Sequence, residues 1–464
     1  MNPRGDDDTI YRKMRRIQAG GRPRVVDLFA GCGGMSLGFL RAGAEIVAGL
    51  ELDPIRARTH AYNFHRHLGE AAMQLHAAPQ DVTTVSPRQC IASLAKSSAE
   101  VDIVVGGPPC QAYARVGRAK LREIARHPEA YLHDERGRLY AAYIRFVGEL
   151  LPVAVVMENV PDILNYGGEN VAEDVAGDLE ALGYECKYTL LNASNYGVPQ
   201  TRERWYLVGI HRSAGQAPTF PPPQHYVDLP SGYRGTRSKA LVWNNTPAPH
   251  AMPLQAAAAS LPYAVTCEDA LSDLPVISEA EKLNLCRGAR DMEMRRPYRR
   301  SAKTDFQRLM RTWPGFASNC DVSAHVIRSL PRDYPIFREM QEGDDYPAAY
   351  AVAERLLQEA AWRRHLEGVA VPEGGARWQH LREAIVPPYD PTKFPNKWRK
   401  LERRFPSRTL MAHLSHDTYS HIHYDSEQAR TISVREAARL QSFPDGFEFR
   451  CAMNAALGQV GNAV

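Results

Sequence analysis

The run from Val101 to Val105 has the near-continuous apolar character of a parallel strand covered on both faces. It closes on Gly106-Gly107, which let the backbone turn, and on Pro108-Pro109, which fix its exit. Cys110 follows at the carboxyl end of that strand, where open α/β sheets bind their ligands. Comparable runs predict strands over Arg24 to Ala30, Glu45 to Leu50, Val153 to Met157 and Trp205 to Ile210. A glycine-rich turn beginning Gly31-Cys32-Gly33-Gly34 leads from the first of these into a helix. Glu51 ends the second strand, about 20 residues past the glycines, where an acidic side chain can hold two ribose hydroxyls. Asp81 is expected at the end of the next strand. Ile432 to Gln441 predicts a helix that ties two domains together, with Ser433 as N-cap and Glu436 three residues on, as in a capping box.

Length changes this picture by adding a second region. A chain of 464 residues with 44% hydrophobic content suits one large α/β domain and one smaller one. Pro218 to Gln224, which contains three consecutive prolines, breaks the composition and reads as a linker. The division expected is an N-terminal extension over 1–20, a catalytic domain over 21–215, a second region over 216–425 and a return to the first domain over 426–464. The extension, with Asp6-Asp7-Asp8 followed by Arg12, Lys13, Arg15 and Arg16, reads as a mobile arm or an appended helix with solvated charges.

The formal net charge is only +4, so a polyanionic partner must be met by local basic surface. One such surface is the segment from Arg287 to Arg311, with Arg295, Arg296, Arg299 and Arg300 at its centre. Another is Lys397, Arg399, Lys400, Arg403, Arg404 and Arg408, interleaved with Trp398 and Phe405, which fits phosphate contact by a basic stripe with aromatics. Between Tyr113 and Leu139 the chain is polar and basic, with Arg115 and Arg118, and reads as a lid beside the candidate nucleophile. Eight cysteines without a CxxC pair, and no charged start followed by an apolar stretch, point to a reducing, cytoplasmic setting. No apolar segment approaches the ~20 residues that cross a bilayer, so no membrane role is expected. His413, His416, His421 and His423 lack a carboxylate or cysteine to complete a ligand set, and no metal is expected.

The candidate chemistry is a thiol with a carboxyl and two guanidinium groups. A lone cysteine is most often an inert core residue, so Cys110 gains meaning only from its company. The strand Val153 to Met157 delivers Glu158, and Arg202 and Arg204 stand two apart before the strand Trp205 to Ile210, on one side of it. Arginine beside a thiol lowers its pKa. The glycine turn departs from GxGxxG in its third glycine, which lowers a dehydrogenase reading.

Taken in order, Asp27 to Gly34, Glu51, Asp81, Pro108-Pro109-Cys110-Gln111, Glu158-Asn159-Val160, Gln200 to Arg204, Arg430 to Glu436 and Gln459 to Val464 resemble the motifs of the DNA (cytosine-5)-methyltransferases. The resemblance implies an S-adenosylmethionine-dependent, Rossmann-like fold with a second, smaller DNA-recognition domain. It implies that Phe29, Ala30, Gly31, Gly33, Glu51, Leu52, Asp81, Val82, Pro109, Asn462 and Val464 hold S-adenosylmethionine. Cys110 becomes the nucleophile that adds to carbon 6 of cytosine, Glu158 the group at ring nitrogen 3, and Arg202 or Arg204 a contact to the base. Gln111, Arg115, Arg118 and the four central arginines become DNA contacts. Cysteine after Pro-Pro, where amino-directed methyltransferases carry an aromatic residue, points to carbon as the methyl acceptor. The partners implied are duplex DNA and a cognate restriction endonuclease, with the enzyme itself a monomer. In the family a helix normally follows Gly461 to Val464, so a gene product that is longer or obtains that helix from another chain, and loose cofactor binding without it, are expected. Two other readings remain: a methyltransferase of structured RNA, disfavoured by the long basic region, and an inactive DNA-binding relative, disfavoured by intact Cys110, Glu158, Arg202 and Arg204.

Overall fold

The structure, a computed structural model, describes residues 3–95, 100–109, 137–165, 170–229, 241–243, 246–283 and 290–464. Cys110, Gln111, Arg115, Arg118 and nearly all of the expected lid lie outside the described residues. The chain groups into two compact units. The first contains Met1–Gly197, Thr201–Ala264 and Asn462–Val464, and the second Val198–Gln200 and Val265–Gly461. Residues 216–264 therefore group with the first unit and 426–461 with the second, a different partition from that read off the linker prolines.

Strands β1 (Arg24–Leu28), β2 (Glu45–Leu50), β3 (Ile103–Gly106), β4 (Ala154–Asn159), β5 (Tyr184–Asn192) and β6 (Glu203–His211) form one sheet in the order β2-β1-β3-β4-β6-β5. The first four are parallel, while β6 runs antiparallel to both its neighbours. Val25, Val26, Leu28, Val104 and Val105 are wholly buried, as expected of parallel strands covered by helices on both faces. The cover includes α2 (Gly34–Arg41), α3 (Pro54–His65), α5 (Pro87–Leu94), α6 (Gly137–Leu150) and α7 (Val171–Ala181). In α6 the buried Tyr140, Tyr143, Phe146 and Val147 recur at the three-to-four-residue spacing of a single apolar stripe.

Two expectations are corrected here. Asp81 does not end a strand: it follows helix α4 (Glu70–Ala77) in a turn, and Gln80 N–H donates to Glu51 O at 2.8 Å, which brings that turn to the end of β2. Of the two readings of the N-terminal segment, a mobile arm or an appended helix, the helix is found, but its charges are not all solvated. The segment forms α1 (Pro3–Gln18), and Lys13, 1% exposed, donates from Nζ to the carbonyls of Val101, Leu150 and Leu151 at 2.7, 2.8 and 2.6 Å. Burial pushes that ammonium down to about 8 against the pull of Asp102 and Glu100. Arg16 pairs with the buried Asp102, which also accepts from the amide of Arg24 at the start of β1.

The second unit is built on α8 (Tyr346–Leu366) and α9 (Ala376–Ile385), which pack together over a core containing Ala349, Ala353, Leu357, Trp378, Leu381 and Trp398. It also holds α10 (Val434–Leu440), every residue of which is buried. Ser433 and Glu436 form the expected capping box. Glu436 also accepts two bonds from Arg430, both at 2.7 Å, so the cap and a buried ion pair share one carboxylate. Among the described residues no helix is long and apolar enough to cross a membrane.

Candidate active site

At the carboxyl ends of β1 and β2 the backbone is bent into unusual conformations. Phe29 (φ 60°), Gly31 (φ 55°) and Gly33 (φ 102°) all lie in the left-handed region, and Ala30 N–H donates to Leu50 O at 3.1 Å. Glu51 is held from both oxygens: Oε2 accepts from Gly31 N–H and Oε1 from Asp53 N–H, each at 2.9 Å. Among the described residues nothing lies within 4 Å of where a Cβ on Gly31 would stand, and Leu52 is 63% exposed beside Glu51. An oriented carboxylate next to open glycine backbone and an exposed apolar side chain suits a ligand with vicinal hydroxyls and a flat ring.

The remaining residues expected here divide. The Asp81 carboxylate accepts from Thr83 N–H at 2.9 Å and from its hydroxyl at 2.6 Å, an Asx-type turn. Val82 is buried, and its carbonyl accepts from Arg145 Nη2 at 2.8 Å. Val464 is brought to the glycine turn: a Cβ on Gly34 would stand 2.5 Å from Val464 O, so only glycine fits the start of α2. Asn462 is exposed.

A second group forms where β3 and β4 end. Asn159 Nδ2 donates to Pro108 O at 2.9 Å and ties the turn before Pro109 to β4. A Cβ on Gly107 would stand 2.8 Å from Glu158 Oε2, so the turn passes directly over that carboxyl. Arg204 Nε lies 3.0 Å from Glu158 Oε1. Glu158 is 6% exposed, and burial raises its pKa above the usual carboxylate value although Arg204 and Arg202 pull the other way. Burial, with Arg204 nearby, brings Arg202 down to about 10.

Two features escaped the sequence reading. Tyr206 joins Arg202 and Arg204 near Glu158, and its phenol is pushed up by burial and then by Glu158. The two-residue alternation of β6 carried that signal, because residues 202, 204 and 206 share a face. The other is a buried set beneath the glycine turn, formed by Asp27, Ser36 and His60. No motif marks His60.

The basic residues of the second unit are more occupied than their sequence suggests. Arg295 bonds Asp321 and Ser318, and Arg296 pairs with Glu281 at 2.5 Å. Arg299 is exposed, and Arg300 is half-buried. In the second cluster Lys400 is buried and donates to Phe337 O and Met340 O, while Trp398 is buried and stacks on Tyr419 at 4.6 Å. Those two residues build the core and form no surface stripe. His421 and His423 are buried with ring nitrogens bonded to Arg408 O and Asp425 N–H, whereas His413 and His416 are exposed.

The family model for C-5 cytosine-specific DNA methylases matches residues 23–464. A protein of Oceanobacillus iheyensis, assigned as type II methyltransferase M.OihORF3336P, is 37% identical over 443 residues, covering 95% of this chain and 92% of its own. Type II methyltransferase M.AgeI of Thalassovita gelatinovora is 30% identical over 470 residues, covering 95% and 96%. A crystal structure described as an E. coli DNA modification methyltransferase encoded within a prophage shares the fold. It has a TM-score of 0.57 at 21% identity and covers 95% of this chain and 94% of that one.

Proposed function

The chain belongs to the C-5 cytosine-specific DNA methylases, and from that premise we propose that it methylates a cytosine turned out of a short duplex DNA sequence, through a transient bond from Cys110. The observation that supports this most is the buried Glu158, paired with Arg204 beneath the turn that leads through Pro109 to Cys110. S-adenosylmethionine, when bound, supplies a methyl group made electrophilic by a sulfonium. The residues present fit it: Glu51, fixed by two amides, would accept from ribose hydroxyls, the open backbone of Gly31 would admit close approach, and Leu52 would offer an apolar surface to the adenine. Phe29, Ala30, Gly33, Asp81, Val82, Pro109, Asn462 and Val464 complete the proposed pocket.

Carbon 5 of cytosine is too weak a nucleophile until carbon 6 is attacked. The Cys110 thiolate forms the Sγ–carbon 6 bond, and the electron pair of the ring double bond moves toward carbon 5. Glu158, whose pKa burial raises against the pull of Arg204 and Arg202, donates a proton to nitrogen 3 as charge develops there. Arg204 keeps that carboxyl oriented, and Arg202 or Arg204 meets the base carbonyl. As carbon 5 takes the methyl group the nitrogen 3 proton returns to Glu158, and S-adenosylhomocysteine is the other product; loss of the carbon 5 proton to a base then restores the double bond and expels the thiolate. Arg299 and Arg300, with Gln111, Arg115 and Arg118, are the proposed DNA contacts. Arg295 and Arg296 contribute only if their carboxylate partners release them. Because the relatives named above are type II methyltransferases, we place the enzyme in a restriction-modification system, as a cytoplasmic monomer beside an endonuclease of the same specificity.

Duplex DNA with 5-fluorocytosine at the target tests the thiol. Fluorine cannot leave carbon 5 as a proton, so the adduct should persist on denaturing electrophoresis with the natural protein and vanish with Cys110→Ser. A trapped complex in that variant would show that another residue attacks.

A further inference from the structure

The glycine turn is held from below by one imidazole. His60, on α3, is 1% exposed, and its ring fills the space left by two glycines. A Cβ on Gly49 would stand 2.2 Å from His60 Cε1, and one on Gly33 would stand 3.0 Å from His60 Cδ2 and 2.2 Å from Phe64 Cε2. Gly49 lies directly across from Asp27 in the β1–β2 pairing and two residues before Glu51. Ser36, in the first turn of α2, donates its hydroxyl to Asp27 Oδ2 at 2.6 Å, and its amide donates to the same oxygen at 3.2 Å. With that proton committed to Asp27, the Ser36 oxygen is left to accept from His60 Nε2–H at 3.0 Å. Among the described residues the other ring nitrogen, Nδ1, has no hydrogen-bond partner, and the ring's directional bond there is the one to Ser36.

We infer that His60, acting through Ser36, is a positioning residue for the cofactor: it wedges the Gly33 turn, the start of α2 and the end of β2 into the relative placement that aims Gly31 and Glu51 at one ligand. This rests on the reading of Gly31 and Glu51 as the S-adenosylmethionine site. The side chain touches no reacting atom. Its effect passes through the Gly31–Glu51 bond, whose two ends belong to the elements the imidazole separates.

The test is isothermal titration with S-adenosylhomocysteine, beside fluorescence anisotropy with non-specific duplex DNA and thermal melts. It compares the full chain with His60→Leu, which fills the volume without a donor, Ser36→Ala, which removes the link and keeps the wedge, and His60→Gln, which keeps a donor. Losing one buried hydrogen bond from the support should weaken S-adenosylhomocysteine about tenfold in His60→Leu and Ser36→Ala, equivalent to about 1.4 kcal/mol, with DNA affinity unchanged. His60→Gln should recover most of that loss, and in His60→Leu and Ser36→Ala the KM for S-adenosylmethionine should rise while kcat is retained. Unchanged affinity in both His60→Leu and Ser36→Ala would overturn the inference. So would parallel losses of ligand binding, DNA binding and melting temperature, which mark a purely structural side chain. If His60→Leu does not fold, Ser36→Ala carries the comparison. Failure of the natural protein to bind S-adenosylhomocysteine would instead remove the cofactor reading, and the inference with it.

Discussion

Replacing Asp27 by asparagine should stabilise the first unit, and more so at alkaline than at acidic pH. The carboxyl is 2% exposed, and burial pushes its pKa up from the ordinary 3.8 to about 7, despite the two bonds it accepts from Ser36, with Glu51 adding a small push the same way. A carboxyl with a higher pKa in the folded than in the unfolded chain holds its proton more tightly when folded. The stability it contributes is complete below pH 3.8 and is lost progressively until the pH passes about 7. At about 1.4 kcal/mol per tenfold in proton affinity that interval corresponds to about 4 kcal/mol, of which about 3 kcal/mol falls between pH 5 and pH 8. Asparagine keeps an oxygen that can accept both Ser36 bonds and carries no charge to bury. Hydrogen exchange at the β1 amides reports on this unit alone, so the natural protein and Asp27→Asn can be compared at each pH. The advantage of asparagine should be larger at pH 8 than at pH 5 by up to about 3 kcal/mol. A gap that is equal at the two pH values, or that shrinks on raising the pH, would refute the argument that the buried carboxylate is costly.

Glu158→Gln should preserve the pocket and DNA binding while methylation falls by about 100-fold to 10,000-fold, the range that proton assistance supplies; single-turnover methyl transfer measures it, and a loss of only a few-fold would move the role elsewhere. Target binding should weaken steeply with salt through counterion release. Arg299→Ala should reduce the slope of log affinity against log salt by about one, and Arg295→Ala by less, because Asp321 already neutralises Arg295. Equal slopes in the natural protein and Arg299→Ala would place the phosphate contacts elsewhere.

The sequence made the strands and their chemistry legible wherever apolar runs ended in glycine, proline or acid. β1 to β4 and β6 fall within or beside the predicted runs, and the capping box of Ser433 and Glu436 follows from local hydrogen-bond chemistry alone. Asp81 was misplaced because its position depends on a backbone bond from Gln80 to Glu51, a tertiary contact without a local pattern. Lys400 and Trp398 read as surface because alternating charge and aromatic residues look alike whether they face solvent or a core whose free carbonyls take up the ammonium. His60 was invisible for a similar reason. Its meaning lies in the missing side chains of Gly33 and Gly49, which are distant in sequence.

The three carbonyls gathered by Lys13 alter how far the shared family region can be treated as self-sufficient. The family match begins at residue 23, yet Val101, Leu150 and Leu151 direct their oxygens to an ammonium ten residues upstream of it. Leu150 ends α6 and Leu151 opens the loop that carries the chain from α6 into β4, the strand bearing Glu158. Natural variation in a segment outside the family model can therefore reach the rigidity of the strand that carries Glu158. Relatives aligned only over the common core can differ there in stability for a reason that the alignment does not contain.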